Sequence, residues 1–465
     1  MIFMRFDLNP MMNPKSVAVI GASRDPSKVG HVILQNYIDA GFDGALYPVN
    51  KNISKGEKII GQTAYRSVTE IKKPIDLAVI AVPAPAVPEV LEECGKAKVK
   101  TAVVISGGFA EVGNVELQNK IVEIAKKYNI AMLGPNCLGI MDPASKVDTL
   151  FLPTYKLSRP KIGDVSFVSQ SGAVGSTILD LIAKEGFGLA KFISYGNAAY
   201  IDETDLLEYL MHDKQTKVIV MYIEGIKRGK EFIEVAKKVS KVKPVIVIKG
   251  GITEEGAQAA HSHTASLAGN SEAYEAVFKQ FGFIRAKDLD DLLYFAKVFS
   301  SEDLPKGDRV AVITNGGGTG VLTTDAIYIN GLKLADFSEE TKKELRKVMP
   351  SIVNIRNPLD LAGDADEKRY SDALSIISKD ENVDMIIVIV LFQTPGADSS
   401  VAEKLIYFKK NIDKPMVAIS TGADYTQTHK LMMESSGLPV YDSPNAAASS
   451  LAELYKYWKY KNKIV

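Results

Sequence analysis

From Ser16 onward the chain alternates short runs of aliphatic and β-branched residues with longer stretches whose apolar positions recur every three or four residues. Ser-Val-Ala-Val-Ile-Gly (16–21), Ala-Leu-Tyr-Pro-Val-Asn (45–50), Asp-Leu-Ala-Val-Ile-Ala-Val-Pro (76–83), Thr-Ala-Val-Val-Ile-Ser-Gly-Gly (101–108) and Ala-Met-Leu-Gly-Pro-Asn (131–136) predict strands. Stretches such as 30–40 and 114–129 predict the helices between them; the second carries Val115, Leu117, Ile121, Val122 and Ile124 as its apolar positions. Strands that are apolar on both faces and separated by helices call for a parallel sheet covered on both sides. This first series closes near residue 145. A second opens at Gly163, continues at 190–195, 217–224 and 244–249, and closes near 300. A third opens at Asp308 and continues at 385–390 and 415–420. The polar stretch 300–308, with Pro305 and Gly307, is the best linker candidate. The pattern predicts three α/β domains: 1–145, 146–300 and 301–465.

The openings of the second and third series resemble each other. Gly163-Asp-Val-Ser-Phe-Val-Ser-Gln-Ser-Gly-Ala-Val-Gly175 aligns with Gly307-Asp-Arg-Val-Ala-Val-Ile-Thr-Asn-Gly-Gly-Gly-Thr-Gly320 once one residue is inserted after Asp308. Each reads as a strand, a turn of small residues and a helix start. Such a turn exposes the first helical N–H groups, which attract anions; small residues also simply close a tight βα turn. Ser169, Gln170, Ser171, Gly172 and Ala173 form the better anion cradle, because two hydroxyls join the backbone donors.

The run Gly256-Ala-Gln-Ala-Ala-His-Ser-His-Thr-Ala-Ser-Leu-Ala-Gly269 places His263 among Gly, Ala, Ser and Thr, after a strand-like stretch (244–251) and before a helical pattern starting near Ser271. Small residues allow close approach of backbone N–H groups, as a phosphate requires, and the same composition suits a solvated surface loop. His261 makes a His-x-His pair with His263, but no third ligand is near in sequence, so no metal site is expected.

The first βα turn runs from Gly21 to Gly30 and lacks the G-x-G-x-x-G spacing of a dinucleotide turn. After the second strand stand Asn50 and Lys51, where an NAD site presents an acid to the ribose. Ser23, Arg24, Ser27 and Lys28 supply donors and positive charge for a pyrophosphate. Coenzyme A, with a ribose phosphate and a pyrophosphate, suits these residues better than NAD, so a nicotinamide-dependent oxidoreductase is disfavoured.

Composition narrows the partners. Lys+Arg and Asp+Glu both total 56 in 465 residues, so no bulk basic field recruits nucleic acid or an anionic membrane. No apolar run reaches the ~20 residues that span a bilayer, and the N-terminus lacks a secretory pattern. Cys94 and Cys137 are the only cysteines, as in a protein of a reducing compartment; a cytoplasmic location is expected.

Taken together, Gly21-Ala-Ser…Gly30, Pro48-Val-Asn50, Ala81-Val82-Pro83, Ser106-Gly107-Gly-Phe109 and Gly134-Pro-Asn136-Cys-Leu-Gly139 resemble the CoA-binding domain of NDP-forming acyl-CoA synthetases. Ser169–Ala173, Tyr195-Gly-Asn197, Tyr222-Ile-Glu224-Gly225 and Ser262-His263-Thr264 resemble the second domain of their alpha subunits, which are related to the succinyl-CoA synthetase alpha subunit. The region from Asp308 resembles the ligase-type domain. The resemblance covers nearly the whole chain in order. It implies a Rossmann-like CoA-binding domain followed by two flavodoxin-like parallel-sheet domains. It also implies an ADP-forming acyl-CoA synthetase, acting on acetyl or another acyl group through an acyl phosphate and a phosphohistidine. By position His263 is the phosphorylated histidine and Glu224 the catalytic acid that orients it. Gly21, Ser23, Arg24, Ser27, Lys28, Asn50, Lys51, Val82, Pro83, Ser106, Gly107 and Asn136 fall at the CoA site, and Ser169–Ala173 at the phosphate site. Cys137 falls near the CoA thiol but reads as a small packing residue.

One departure is visible: relatives commonly read Ser-His-Thr-Gly-Ala-Leu-Ala-Gly, whereas Ala265 and Ser266 stand here, which touches the path of the loop. The chain also lacks a P-loop and the glycine-rich nucleotide-binding half of an ATP-grasp domain. The resemblance then implies a separate ATP-grasp beta subunit carrying ADP/ATP with Mg2+, in an α2β2 heterotetramer. A non-catalytic CoA- or acyl-CoA-binding regulator is the alternative.

Overall fold

The structure is a computed structural model, and it describes residues 4–54, 56–256, 258 and 271–463. Four strands of the first series emerge from the uninterrupted apolar runs: β1 (Ser16–Ile20), β2 (Ala45–Val49), β5 (Leu77–Ile80) and β6 (Thr101–Val104), with a small hairpin β3–β4 (Lys58–Ile59 and Gln62–Thr63) between β2 and β5. With β7 (Ala131–Leu133) they form a sheet of order β2-β1-β5-β6-β7, parallel throughout, the hairpin standing apart. β1, β5, β6 and β7 are buried at every position, as expected of strands covered on both faces. The helices Val29–Asp39, Val87–Lys96 and Val115–Tyr128 supply the cover.

The second sheet takes its first strand from before residue 145. β8 (Gly139–Asp142) and β9 (Val147–Asp148) pair with each other, and β8 runs antiparallel to β11 (Leu189–Ser194). With β10 (Ile162–Ser169), β12 (Val218–Ile223), β13 (Val245–Lys249) and β14 (Ile284–Arg285) the order is β14-β13-β12-β10-β11-β8-β9. The change of sheet therefore comes between β7 and β8. The expected boundary near 145 lies inside the β8–β9 connection, because an apolar run reports burial and not the sheet that buries it.

The third sheet is parallel, with order β16-β15-β18-β19-β20 and β17 beside β15. These strands are β15 (Arg309–Thr314), β16 (Lys333–Leu334), β17 (Leu359–Asp360), β18 (Met385–Ile389), β19 (Met416–Ile419) and β20 (Val440–Tyr441). Asp366, at the end of the acidic stretch 360–366, caps the next helix by accepting from Arg369 N–H at 3.0 Å.

Two compact units result: 1–184 with 188–285, holding the first two sheets, and 185–187 with 286–465, holding the third. The helix Leu289–Ser301 belongs with the third sheet, earlier than the predicted linker at 300–308. Its Tyr294 ring meets Tyr441 edge-on at 5.4 Å and its Phe299 meets Tyr457 at 5.6 Å. Its buried Lys297 pairs with Glu434 and with Glu185 at 2.7 Å.

In each sheet the first strand has the second on one side and a later strand on the other. The crevice at that reversal, beyond the carboxyl ends of the strands, is where open α/β sheets bind ligands.

Candidate functional site

In the second sheet the reversal lies between β10 and β12, and Ser169 stands opposite Tyr222 across them. The chain leaves β10 through Ser169-Gln170-Ser171 and enters the helix Gly172–Glu185; it leaves β12 through Glu224-Gly225. Gln170 ties the two exits together. Its backbone N–H donates to Tyr222 O (3.1 Å), and its Oε1 accepts from Glu224 N–H (2.7 Å), Gly225 N–H (3.2 Å) and the Tyr195 hydroxyl (3.4 Å). The Gln170 side-chain oxygen is thus committed to strand-end backbone groups that need an acceptor when buried. Ser169 Oγ donates to Ser171 O (2.6 Å) and Ser171 Oγ accepts from Val174 N–H (3.4 Å), so both hydroxyls shape the turn.

Glu224 is 4% exposed. The Tyr222 hydroxyl bonds to its carboxylate, and burial followed by that negative charge pushes the Tyr222 phenol up to about 12. Lys249, opposite Ile223 on β13, is pulled below its ordinary range by burial, with Glu224 opposing that shift. Glu224 is thus a buried acid at a strand end, beside a phenol and a lysine. His263 and His261 lie outside the described residues.

A cavity of about 370 Å³ opens beside this exit. Gln170, Gly172, Ala173 and Ser176 are part of its lining, and Gly172 and Ala173 begin a helix whose first N–H groups have no intrahelical acceptor. Asn136, Cys137, Gly196 and Asn197 also line it, together with the apolar residues Ile105, Leu138, Phe151 and Leu152. Cys137 is a packed thiol: 4% exposed, it donates to Val104 O at 3.3 Å, and burial pushes it up to about 12.

Sequence reasoning named Asn136 and Asn197 but passed over the network that holds them. Asn136 Nδ2 donates to Asn197 Oδ1 (3.2 Å), and Asn197 Nδ2 donates to Glu111 Oε2 (2.5 Å) and Gln118 Oε1 (3.0 Å). Burial acts to raise the Glu111 carboxyl, but bonds from Asn197 and from the backbone of Gly108 and Phe109 outweigh it and hold the group low. Lys227 Nζ donates to the carbonyls of Asn197 (2.7 Å) and Ala198 (3.2 Å), joining that turn to the segment after Glu224. Glu111, Gln118 and Lys227 carry no local pattern. Asn136, in Gly-Pro-Asn, and Asn197, in Tyr-Gly-Asn, were the visible signals.

At the reversal of the first sheet, between β1 and β5, the remaining candidates gather. Gly21 has φ +96°, and a Cβ there would collide with the Ala81 carbonyl; a Cβ on Gly30 would strike the Gly21 carbonyl. Glycine lets the helix start approach the strand end. Ser23 Oγ accepts from Asp25 N–H (3.1 Å), Ser27 Oγ donates to Asp25 (2.7 Å), and Lys28 precedes the helix. Arg24 is exposed and pairs with Glu57 at 3.0 Å. Asn50 donates through Nδ2 to Ala22 O (2.7 Å), so its amide shapes the first turn, and Lys51 is exposed. Ser106 Oγ donates to Val82 O (2.5 Å) and its carbonyl accepts from Asn136 N–H (2.9 Å), while Gly107 faces the Asn136 side chain and Pro83 is exposed. The structure thus joins the turns after β5 and β6 to Asn136, whose side chain lines the cavity.

Comparison with known proteins follows the same order along the chain. A CoA binding domain matches residues 15–143, a succinyl-CoA ligase like flavodoxin domain 162–299, and a ligase-CoA domain 310–456. The chain is 42% identical to the acetate–CoA ligase [ADP-forming] II subunit alpha of Pyrococcus furiosus over 97% of its own length and 98% of that protein's. It is 43% identical to the acetate–CoA ligase [ADP-forming] of Methanocaldococcus jannaschii over 97% of its length, and spans 63% of that relative. The solved dinucleotide forming acetyl-coenzyme A synthetase 1 of Ca. Korarchaeum cryptofilum, in complex with phosphate and ADP, superposes with a TM-score of 0.92 at 37% identity, covering 98% of each chain.

Proposed function

The chain belongs to the ADP-forming acyl-CoA synthetase family, and from that membership we propose that it works as the alpha subunit of an ADP-forming acetyl-CoA (acyl-CoA) synthetase. The observation that carries this reading is the clamp by Gln170, which ties the backbone of buried Glu224 to the turn that enters the helix start at Gly172–Ala173, and Gln170, Gly172 and Ala173 line the 370 Å³ cavity.

In this reading CoA lies across the first reversal, with its pyrophosphate near Ser23, Arg24, Ser27 and Lys28, Asn50 and Lys51 toward the ribose phosphate, and its thiol end passing Val82-Pro83, Ser106-Gly107 and Asn136. Inorganic phosphate sits at Ser169–Ala173, where helix N–H groups favour an anion. A phosphate oxygen attacks the thioester carbonyl carbon, the C–S bond breaks, and CoA leaves as a thiol with a proton. The acyl phosphate then gives its phosphoryl group to a ring nitrogen of His263: a P–N bond forms, and the P–O bond to the carboxylate breaks. Glu224 accepts a hydrogen bond from the other ring nitrogen, which fixes the tautomer and strengthens the nucleophile. Finally an oxygen of ADP takes the phosphoryl group and the P–N bond breaks, giving ATP.

ADP and its Mg2+ belong, in this reading, to an ATP-grasp beta subunit in an α2β2 assembly. Two facts support a partner: the P. furiosus relative is named as a subunit alpha, and the M. jannaschii relative extends well beyond this chain's span. The test is acid-labile, base-stable phosphate on the chain after exposure to acetyl-CoA and phosphate. Wild type is expected to label and His263→Ala to lose the label; equal labelling of the two rejects the phosphohistidine.

A further inference from the structure

Two of the cavity's apolar lining residues, Phe151 and Leu152, stand on an unusually well anchored loop. Phe151 and Leu152 follow β9 in the connection to β10. Asn36, on the helix Val29–Asp39 and 1% exposed, donates through Nδ2 to Leu150 O (2.6 Å) and Leu152 O (3.1 Å). Arg159 reaches the same Leu152 carbonyl through Nη2 (2.8 Å), while its Nε donates to the buried Asp148 carboxylate (2.7 Å), which also accepts from Leu150 N–H (3.1 Å). The 150–152 peptide is therefore held by buried or partly buried donors and acceptors, so the two side chains stand on a fixed backbone in the cavity that Gly172 and Ala173 also line.

The chemistry of the lining is as informative as its shape. Among the described residues it presents amides, a hydroxyl, a packed thiol and four aliphatic or aromatic side chains, and no Lys, Arg or His. A second carboxylate on the acyl group would enter without a counter-charge, at a large desolvation cost. An apolar chain would bury against Phe151 and Leu152.

We infer that the Phe151–Leu152 wall determines acyl-group specificity, admitting short uncharged acyl chains, limiting their bulk through the Phe151 ring, and rejecting dicarboxylic acids. This rests on the reading of the chain as an acyl-CoA synthetase subunit. With the acyl phosphate's phosphoryl group at the helix start, Phe151 and Leu152 are apolar groups of the same cavity that its carbon chain can bury against. The wall thus acts on selectivity, where one or two methylene groups in a hydrophobic pocket are worth roughly 10–200-fold.

The experiment compares kcat/KM for acetate, isobutyrate, phenylacetate and succinate in the complete enzyme, with its nucleotide-binding partner, for wild type, Phe151→Ala and the milder Phe151→Leu. Phosphohistidine labelling of each chain is measured alongside. Phe151→Ala is expected to raise the phenylacetate-to-acetate ratio by about 10-fold or more, with a smaller rise in Phe151→Leu, and succinate is expected to be refused by wild type. Unchanged ratios in both variants with labelling intact, or efficient use of succinate by wild type, overturn the assignment of the wall. Absence of labelling in wild type instead overturns the phosphohistidine reading, and the wall's role falls with it.

Discussion

Gln170 shows how a residue can matter to a phosphate site through the backbone it holds. Its Oε1 serves the N–H groups of Glu224 and Gly225 at once. Gln170→Ala leaves both buried donors without that acceptor, a cost of about 1–3 kcal/mol for each unsatisfied group. The variant is expected to melt lower than wild type and to form phosphohistidine more slowly while still binding CoA; thermal denaturation, labelling kinetics and CoA titration separate these effects. An unchanged labelling rate would show that the Glu224 position does not depend on the clamp. Glu203 has a different consequence. It is fully buried, and burial together with the negative charge of Asp202 pushes its carboxyl up to about 8, against the pull of Lys227. An unfolded Glu titrates near 4.3, so between about pH 4.3 and pH 8 the folded state holds more protons and loses stability as pH rises. Glu203→Gln removes this ionisation. Its melting temperature should therefore fall less than that of wild type between about pH 6 and pH 8, and superimposable slopes would refute the assignment.

At the level of elements, the helix Glu203–His212 is set by its cap. Asp202 accepts from Thr204 N–H (3.0 Å) and Asp205 N–H (3.4 Å), and Asp205 accepts in return from Asp202 N–H (3.2 Å). The Asp202 carboxylate also receives both Nε (2.5 Å) and Nη2 (2.6 Å) of Arg228, at the start of the neighbouring helix Gly229–Val242. Asp202→Ala removes a cap and one partner of a buried charge, and should cost about 1–3 kcal/mol, read as a lower urea midpoint; a shift below a few tenths of a kcal/mol would mean that Asp205 alone holds Arg228. The acidic and polar spacing of this helix was available in the sequence, but the Arg228 partner was not. The same distinction separates the two repeat openings. Asn315 repeats the role of Gln170: its Oδ1 accepts from Leu391 N–H (2.9 Å) and its Nδ2 donates to Thr394 Oγ1 (3.0 Å), linking the exits of β15 and β18. The likeness of the small-residue turns is written locally; the use of the amide to join adjacent strands exists only once those strands pair.

For the whole molecule, three sheets with their reversals at the same place in each strand series explain why motifs far apart in sequence converge on ligand crevices. The first two sheets share a compact unit, and the described cavity draws its lining from residues 105 to 197 within it. In the proposed reading that site contains acyl, phosphate and CoA positions, and ADP is held by a partner. The purified chain is expected to bind CoA in a calorimetric titration and to form no ATP from acetyl-CoA, ADP and phosphate until a nucleotide-binding partner is supplied. ATP formation by the chain alone would overturn the division of labour. Among the described residues no helix is long and apolar enough to cross a membrane.

What the sequence determined by itself was the local content: the strands of the parallel sheets, the helices between them, the glycine at Gly21, the Ser169–Ala173 turn and Glu224 at a strand end. Hydrophobic period, turn chemistry and residue type are carried within a few residues, so they survive without a fold. Tertiary structure decided which sheet claims 139–148, which sheet the helix 289–301 covers, and which amides face a ligand as opposed to a backbone. Asn50 fastens the first turn and Gln170 the exits of two strands, roles their motifs did not announce. Phe151, which belongs to no motif, lines the cavity. In each case the outcome depends on partners distant in the chain, chosen by strand pairing and by the need to satisfy every buried polar group, and no local pattern encodes that choice.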